Sequence, residues 1–256
     1  MVSGLLALLV ATSPVTGPTP DTKATVRYKV DLTMTQKADL TAAGQGVLEG
    51  GITSTVYVTL TTSDTTGGTI AHFVIDSMTV EATGISAGQM SQTFADSLAG
   101  ETIHAYIVDG KVEGSPELSD PSNPAMNVAS QVVGVIYPGV GPKARDTKAY
   151  SDTVTSNTVN DQGTRNSQQI VDWTVTGAEG NALMLTGKGA GTVSADMNGQ
   201  QISGSVATTM DVTSPIGGPA SKALATSDPD MMVLVPGMPE PISVKVETRA
   251  ELTQLP

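Results

Sequence analysis

The sequence predicts a mainly β protein: a curved antiparallel sheet or half-barrel of two meanders, with two short helices covering one face. Three observations predict it. Apolar and polar residues alternate strictly along several segments, which is the period of a half-buried antiparallel strand. Glycine-containing turns separate these segments, and connections that short join sequential antiparallel strands rather than parallel crossover units. Two central segments switch to a helical period, and such short amphipathic helices need an apolar surface to cover.

The N-terminus comes first. The run Gly4-Leu-Leu-Ala-Leu-Leu-Val-Ala11 precedes Thr12-Ser13-Pro14. An apolar stretch of this length followed by small residues has the layout of a secretory signal and is far short of the roughly 20 residues that span a bilayer. The α-amino group is the only positive charge before the run. Residues 1–20 are therefore read as signal peptide and linker start, and the protein as secreted or periplasmic. The prolines in Pro14-Val-Thr-Gly-Pro-Thr-Pro-Asp-Thr22 disfavour helix and favour an extended linker. Residues 21–256 are read as a single β-rich domain in two halves, about 21–136 and 150–256.

The first strand has Val26, Tyr28, Val30, Leu32 and Met34 on one face, with Arg27, Lys29, Asp31, Thr33 and Thr35 on the other. The last repeats the pattern, with Ile242, Val244, Val246, Thr248, Ala250 and Leu252 opposite Ser243, Lys245, Glu247, Arg249 and Glu251. Between them, strands are expected over about 54–62, 69–83, 103–108, 154–159, 168–176, 182–197 and 201–213. Their threonine and valine content suits a pleated, half-buried surface. Asn198-Gly199 and Asp109-Gly110 are strong hairpin signals. Gly67-Gly68, Asp161-Gln-Gly163 and Glu179-Gly-Asn181 mark three more turns, where glycine admits positive φ.

The helical segments are Ala87–Ala99 and Ala125–Ile136. In the first, Met90, Phe94 and Leu98 recur four apart, with Gly100 as a C-terminal stop. In the second, Asn123-Pro124 supplies a cap and first-turn proline. Met126, Ala129, Val132, Val133 and Ile136 then share one side, and Pro138-Gly139 ends the helix. The Pro/Gly-rich loop from Tyr137 to Tyr150 separates the two meanders. A single continuous sheet is expected, because each half alone offers few bulky residues.

Composition restricts function. With 13 Lys+Arg against 25 Asp+Glu, the net charge of −12 argues against nucleic acid, whose binding rests on cationic contacts to phosphate. It also argues against adhesion to an anionic membrane surface. A chain with 39% hydrophobic residues is too apolar to be disordered. The absence of cysteine excludes disulfides, zinc–thiolate and iron–sulfur sites, a cysteine nucleophile and acylation at an N-terminal cysteine.

No catalytic or metal constellation emerges, and no cofactor is expected. His72 and Asp76 share a strand face but lie about 13 Å apart. His104 sits near a hairpin, and neither histidine has ligand spacing to a third group; both read as partly buried strand residues. No nucleophile elbow is present. Gly187-Lys-Gly-Ala-Gly191-Thr192 lacks the order of a phosphate loop and is read as a bend or bulge in a curved sheet. Asp64 and Asp228-Pro-Asp230 read as ordinary turn aspartates rather than calcium ligands.

A binding surface remains. The chain has 11 methionines against 8 aromatics, and the flexible thioether suits irregular apolar surfaces. Core filling competes with a ligand-lining role for each of them, and Trp173 is read as core first and pocket wall second. A curved sheet covered by helices can enclose an apolar cavity. The expected lining is Tyr28, Val30, Leu32, Met34, Val58, Leu60, Met78, Trp173, Met184, Val206 and Met210.

The layout also carries a resemblance. Tyr28-Lys-Val-Asp-Leu-Thr-Met34 opens the first meander. Val56-Tyr-Val-Thr-Leu60 leads to Ile75-Asp-Ser-Met-Thr-Val80, followed by Val108-Asp-Gly-Lys111 and the loop Gly139–Asp146. This arrangement resembles the lipoprotein-localisation and mycobacterial lipid-carrier group of secreted bacterial envelope proteins. It is similar to uncharacterised families of the same half-barrel design. The resemblance implies helices over an apolar cavity. The missing lipobox cysteine departs from anchored members and implies a soluble form.

Three functions follow in order: a soluble extracytoplasmic carrier of an apolar or lipid-like ligand, a ligand-free interaction module for another envelope protein, and, third, a hydrolase.

Overall fold

The computed structural model describes residues 23–256 apart from 42–43, 89, 161–162, 198–199 and 237–239. The expected signal segment and linker, Asp161-Gln162 and the expected Asn198-Gly199 turn lie outside the described residues. The N-terminal meander comprises β1 (Lys23–Leu40), β2 (Gly46–Thr65), β3 (Gly68–Gly84), β4 (Thr102–Val108) and β5 (Lys111–Leu118). The C-terminal meander comprises β6 (Ala149–Asn160), β7 (Gly163–Glu179), β8 (Ala182–Met197), β9 (Gln200–Pro215), β10 (Lys222–Leu234) and β11 (Ile242–Leu255). Among the described residues these form one curved, open antiparallel sheet in the order β5-β4-β3-β2-β1-β11-β10-β9-β8-β7-β6. Every neighbour is sequential except β1 and β11, whose ladder joins the two meanders.

Alternation sets the two faces. Tyr28, Val30 and Leu32 on β1 are buried, as are Val56, Val58 and Leu60 on β2 and Ala71, Phe73 and Ile75 on β3. They belong to one core with Val171 and Trp173 of β7 and Leu185 of β8, from the far side of the strand order. Residues so distant along the sheet meet only because the sheet curls. The two edge strands approach at one end, where Lys111 Nζ of β5 lies 2.5 Å from Asp152 Oδ2 of β6.

Ladder geometry explains several departures from the simple period. Asp76 is the extra residue of a bulge, since Tyr57 pairs Ser77 while Val58 pairs Ile75. The β4–β5 turn has Asp109 at φ 50° and Gly110 at φ 78°, the paired positive φ of the hairpin turn its sequence predicts. The segment Asp228-Pro-Asp230 is not a turn but the middle of β10. Its β9 ladder runs on through Pro229–Val206, whereas the β10–β11 pairing breaks between Ser227 and Asp230. Proline has no N–H to give that neighbour. Asp64 belongs to the end of β2 rather than to a turn. The glycines of β8 are neither bend nor bulge. Their register runs unshifted from Gly187–Trp173 to Gly191–Gln169, and the β7–β8 bulge lies instead between Val175 and Gly177.

Among the described residues, three short α-helices replace the two expected. α1 covers only Gln92–Asp96. Met90 and Leu98 are buried, but Phe94 is 41% exposed, because a helix of just over one turn does not carry a face from residue 90 to 98. The second segment divides into α2 (Pro124–Ala129) and α3 (Val132–Ile136). Its apolar side, Met126, Ala129, Val132, Val133 and Ile136, is buried as the spacing predicts. Backbone bonds tie the following strap to two hairpin ends: Gly139 N donates to Gly110 O at 3.1 Å and Gly217 N to Val140 O at 2.9 Å. Ala220 N also donates to Ile136 O at 2.8 Å. The helices thus plug one end of the curled sheet.

Asn123 organises this plug. Its Oδ1 accepts from Ala125 N at 2.9 Å, and its Nδ2 donates to Phe94 O at 3.1 Å and Ser97 Oγ at 2.8 Å. One buried side chain caps α2 and anchors α1. Asn123→Ala removes the cap of α2 and both ties to the α1 segment, so a loss of about 2 kcal/mol in urea unfolding is expected.

Candidate functional site on the concave face

Cross-strand register gives the inner face as rows of side chains. On the plugged side, one row of the main core is Met78, Val56, Val30, Leu252, Ala223, Val212 and Leu185, all buried. Near the opposite end a second buried cluster holds Ala38, Leu40, Val233, Ile242 and Val244. Between the two lies a band that neither covers fully. Met34, Met210, Thr208, Ser227, Val246 and Val206 are half-buried there. This band is the candidate site, a trough with mainly apolar walls.

Its floor contains a polar exception. Gln36 pairs with Gly50 and Val246, is 5% exposed, and has an Oε1 without a hydrogen-bond partner. Ser54, two rows nearer the plug, is 2% exposed with an unpartnered Oγ. A buried polar atom without a partner carries a desolvation cost of about 1–3 kcal/mol. Both amide ends of glutamine can serve a ligand, since the group offers an acceptor and two donors. At one side of the trough Gln169 lies over Gly189 and donates to Thr208 Oγ1.

The expected lining residues divide into three groups. Met34, Val206 and Met210 stand in the trough. Tyr28, Val30, Leu32, Val58, Leu60, Met78 and Trp173 are packed in the main core, each no more than 4% exposed. Met184 stands on the outer face, 42% exposed, because Leu185 takes the inward position. Burial pushes the Tyr28 hydroxyl up to about 12, as expected of core. Sequence reasoning missed Gln36, Thr208, Ser227 and Val246. The alternation signal was available for each, but polar type hid Gln36 and Thr208, and β10 was not recognised as a strand.

Two shallow grooves, about 420 and 520 Å³, lie elsewhere, over the outer face of β7–β11 around Thr213, Lys222 and Thr253. The outer face otherwise carries exposed ion pairs, such as Lys37–Glu49 at 2.8 Å and Lys245–Asp230 at 3.6 Å. Pairs like these contribute little to stability and mainly solvate the sheet. Among the described residues no group of three or more His, Cys, Asp or Glu gathers to hold a metal ion. Among the same residues no helix is long and apolar enough to cross a membrane.

The architecture has a counterpart among solved structures. The chain superposes on a structure described as showing lipid–protein interactions in lipovitellin, with a TM-score of 0.51 and 11% identity over 93% of this chain. The shared region is 25% of the lipovitellin chain, so this protein spans a quarter of it. At that identity the likeness shows a common fold and nothing finer. An outer membrane channel from Pseudomonas putida F1 aligns with a TM-score of 0.31 and 11% identity, over 96% of this chain and 100% of the channel. That superposition is too loose to carry an argument. No protein-family model matches the chain, and no curated protein matches it.

Proposed function

We propose that the protein is a non-enzymatic extracytoplasmic carrier that binds an apolar, lipid-like ligand along the concave trough. One observation carries the reading: an apolar band on the inner face is left half-covered between two fully packed clusters. Water against Met34, Val206, Val246 and Met210 is unfavourable, and covering apolar surface gains about 25 cal/mol per Å². Methionines adapt to ligands of varied shape. Gln36 at the floor suits a ligand with one hydrogen-bonding group on an apolar body. The lipid in the lipovitellin structure's description, the envelope lipid-carrier layout of the sequence and the signal-like N-terminus support the same reading.

The test uses the full chain expressed with its N-terminal segment. Solvent extraction and mass spectrometry of the purified protein should yield a copurified lipid, and a fluorescent fatty acid should bind saturably. Val206→Asp should weaken that binding at least about tenfold by placing a charge in the apolar wall. Met184→Lys, on the outer face, should leave it unchanged. Absence of both copurified lipid and saturable probe binding overturns the reading.

A second reading, an interaction module that docks an envelope protein by strand addition, is favoured by β6. Among the described residues it pairs only with β7, over Ala149–Asn160, and leaves Val154 47% exposed at the sheet edge. A free edge of this kind is a template for another strand. A partner recovered by crosslinking to β6, with no lipid bound, would favour it.

A further inference from the structure

The two histidines, which have no role in the trough, stand directly opposite each other. His72 of β3 and His104 of β4 are register partners on the outer face, because Ala71, Phe73, Ile103 and Ala105 take the inward positions. Both rings are half-buried. His72 Nδ1 lies 3.0 Å from His104 Nε2, and the rings meet edge to face with centroids 4.4 Å apart.

We propose that His72 and His104 form a two-histidine chelate for a divalent transition metal, with copper(II) and zinc(II) as the fitting ions. The bite distance carries the inference. Two nitrogens at 2.0–2.1 Å from one zinc lie about 3.3 Å apart at a tetrahedral angle. At the right angle of a tetragonal copper site they lie about 2.9 Å apart. The observed separation falls between these values, and turning each ring by about 35–45° from its hydrogen-bonded orientation aims both lone pairs at one ion. The strand ladder fixes the two Cα positions, so the chelate needs no backbone rearrangement.

Protonation agrees with this geometry. Burial, and then the charge of His104, hold His72 below the usual histidine range, so the neutral ligand form prevails at neutral pH. Without metal, one ring donates its N–H to the other. On binding, that proton moves through solvent to the donor ring's other nitrogen, and both facing nitrogens become ligands with no net proton release. Water fills the remaining positions. Glu117 of β5, the register partner of His104, is the carboxylate placed to swing in. The net charge of −12 raises the local concentration of cations.

Titrating the full chain with zinc chloride, while following the two imidazole Hε1 resonances, tests the proposal without any variant. Both resonances should shift together and saturate at one equivalent. By calorimetry, copper(II) should bind more tightly than zinc(II). His72→Gln and His104→Gln should each weaken zinc binding at least about tenfold, since either alone leaves a single imidazole. Ring resonances unmoved at about 1 mM zinc, a weak-binding ceiling, or a double variant that binds like the parent, would overturn the proposal.

Discussion

Replacing Trp173 by alanine is expected to lower the unfolding free energy by about 3–5 kcal/mol, the usual loss for a large buried aromatic. The residue is the only tryptophan of the chain, is 2% exposed, and sits where β7 closes onto the main core. Its ring lies across the neighbouring strand. A Cβ on Gly187 would stand 2.8 Å from ring carbon Cζ3 and 2.9 Å from Cε3. The glycine is thus half of the Trp173 site. Gly187→Ala in the parent should cost about 1–3 kcal/mol by overpacking, whereas in the Trp173→Ala background the added methyl enters vacated space and should cost much less. The double-mutant cycle should give a coupling of about 1 kcal/mol or more. Additive losses, read from urea midpoints at constant slope, would show that the ring does not depend on the bare strand beneath it.

That pairing illustrates what was legible in the sequence. The alternation around Trp173 and around Gly187 is plain, and it gave the strands. The reason for Gly187 was not, because it resides in a neighbour fourteen positions away by register. The same limit explains the histidines. Each was correctly placed on a strand, yet their contact depends on the β3–β4 register across the α1 insertion, which alternation does not specify. Pro229 misled for a local reason: a proline between two aspartates has turn chemistry. The sheet tolerates it because the β10–β11 ladder is interrupted at that point.

The candidate site was legible in part for a similar reason. The inward face of each strand followed from its period, so Met34, Val206 and Met210 could be named. Which inward residues are packed over and which stay half-covered depends on how far the plug reaches along the strands. Periodicity carries no information on that length. Tyr28, Val30 and Leu60 therefore looked equivalent to Met34 in sequence, although the curl of the sheet buries them in the core. Met184 differs again, since β8's own alternation turns Leu183 and Leu185 inward and leaves Met184 between them on the outer face.

Phe73→Ala is the companion experiment at the plugged end, with an expected loss again of about 3–5 kcal/mol. Phe73 is fully buried on the inner face of β3 and meets Tyr137, just after α3, edge to face at 6.4 Å. The three helices have 5, 6 and 5 residues, and isolated helices shorter than about 12 residues are marginal in water. Their order must come from the surface they cover. If the plug and sheet unfold as one unit, Phe73→Ala should speed hydrogen exchange of the Ser130 and Tyr137 amides, both in 2.8 Å helical bonds, by the whole of the stability loss. That is roughly a hundredfold to several thousandfold, since each 1.4 kcal/mol is a factor of ten. The contrary result is equally informative. Amides that keep their protection while the protein is destabilised would mean that the strap is held by its own backbone bonds, from Gly139 to Gly110 and from Gly217 to Val140. Those bonds join the ends of the β4–β5 and β9–β10 hairpins, on opposite sides of the curl. A strap fixed that way would keep the end of the trough closed even when the core beneath it is weakened.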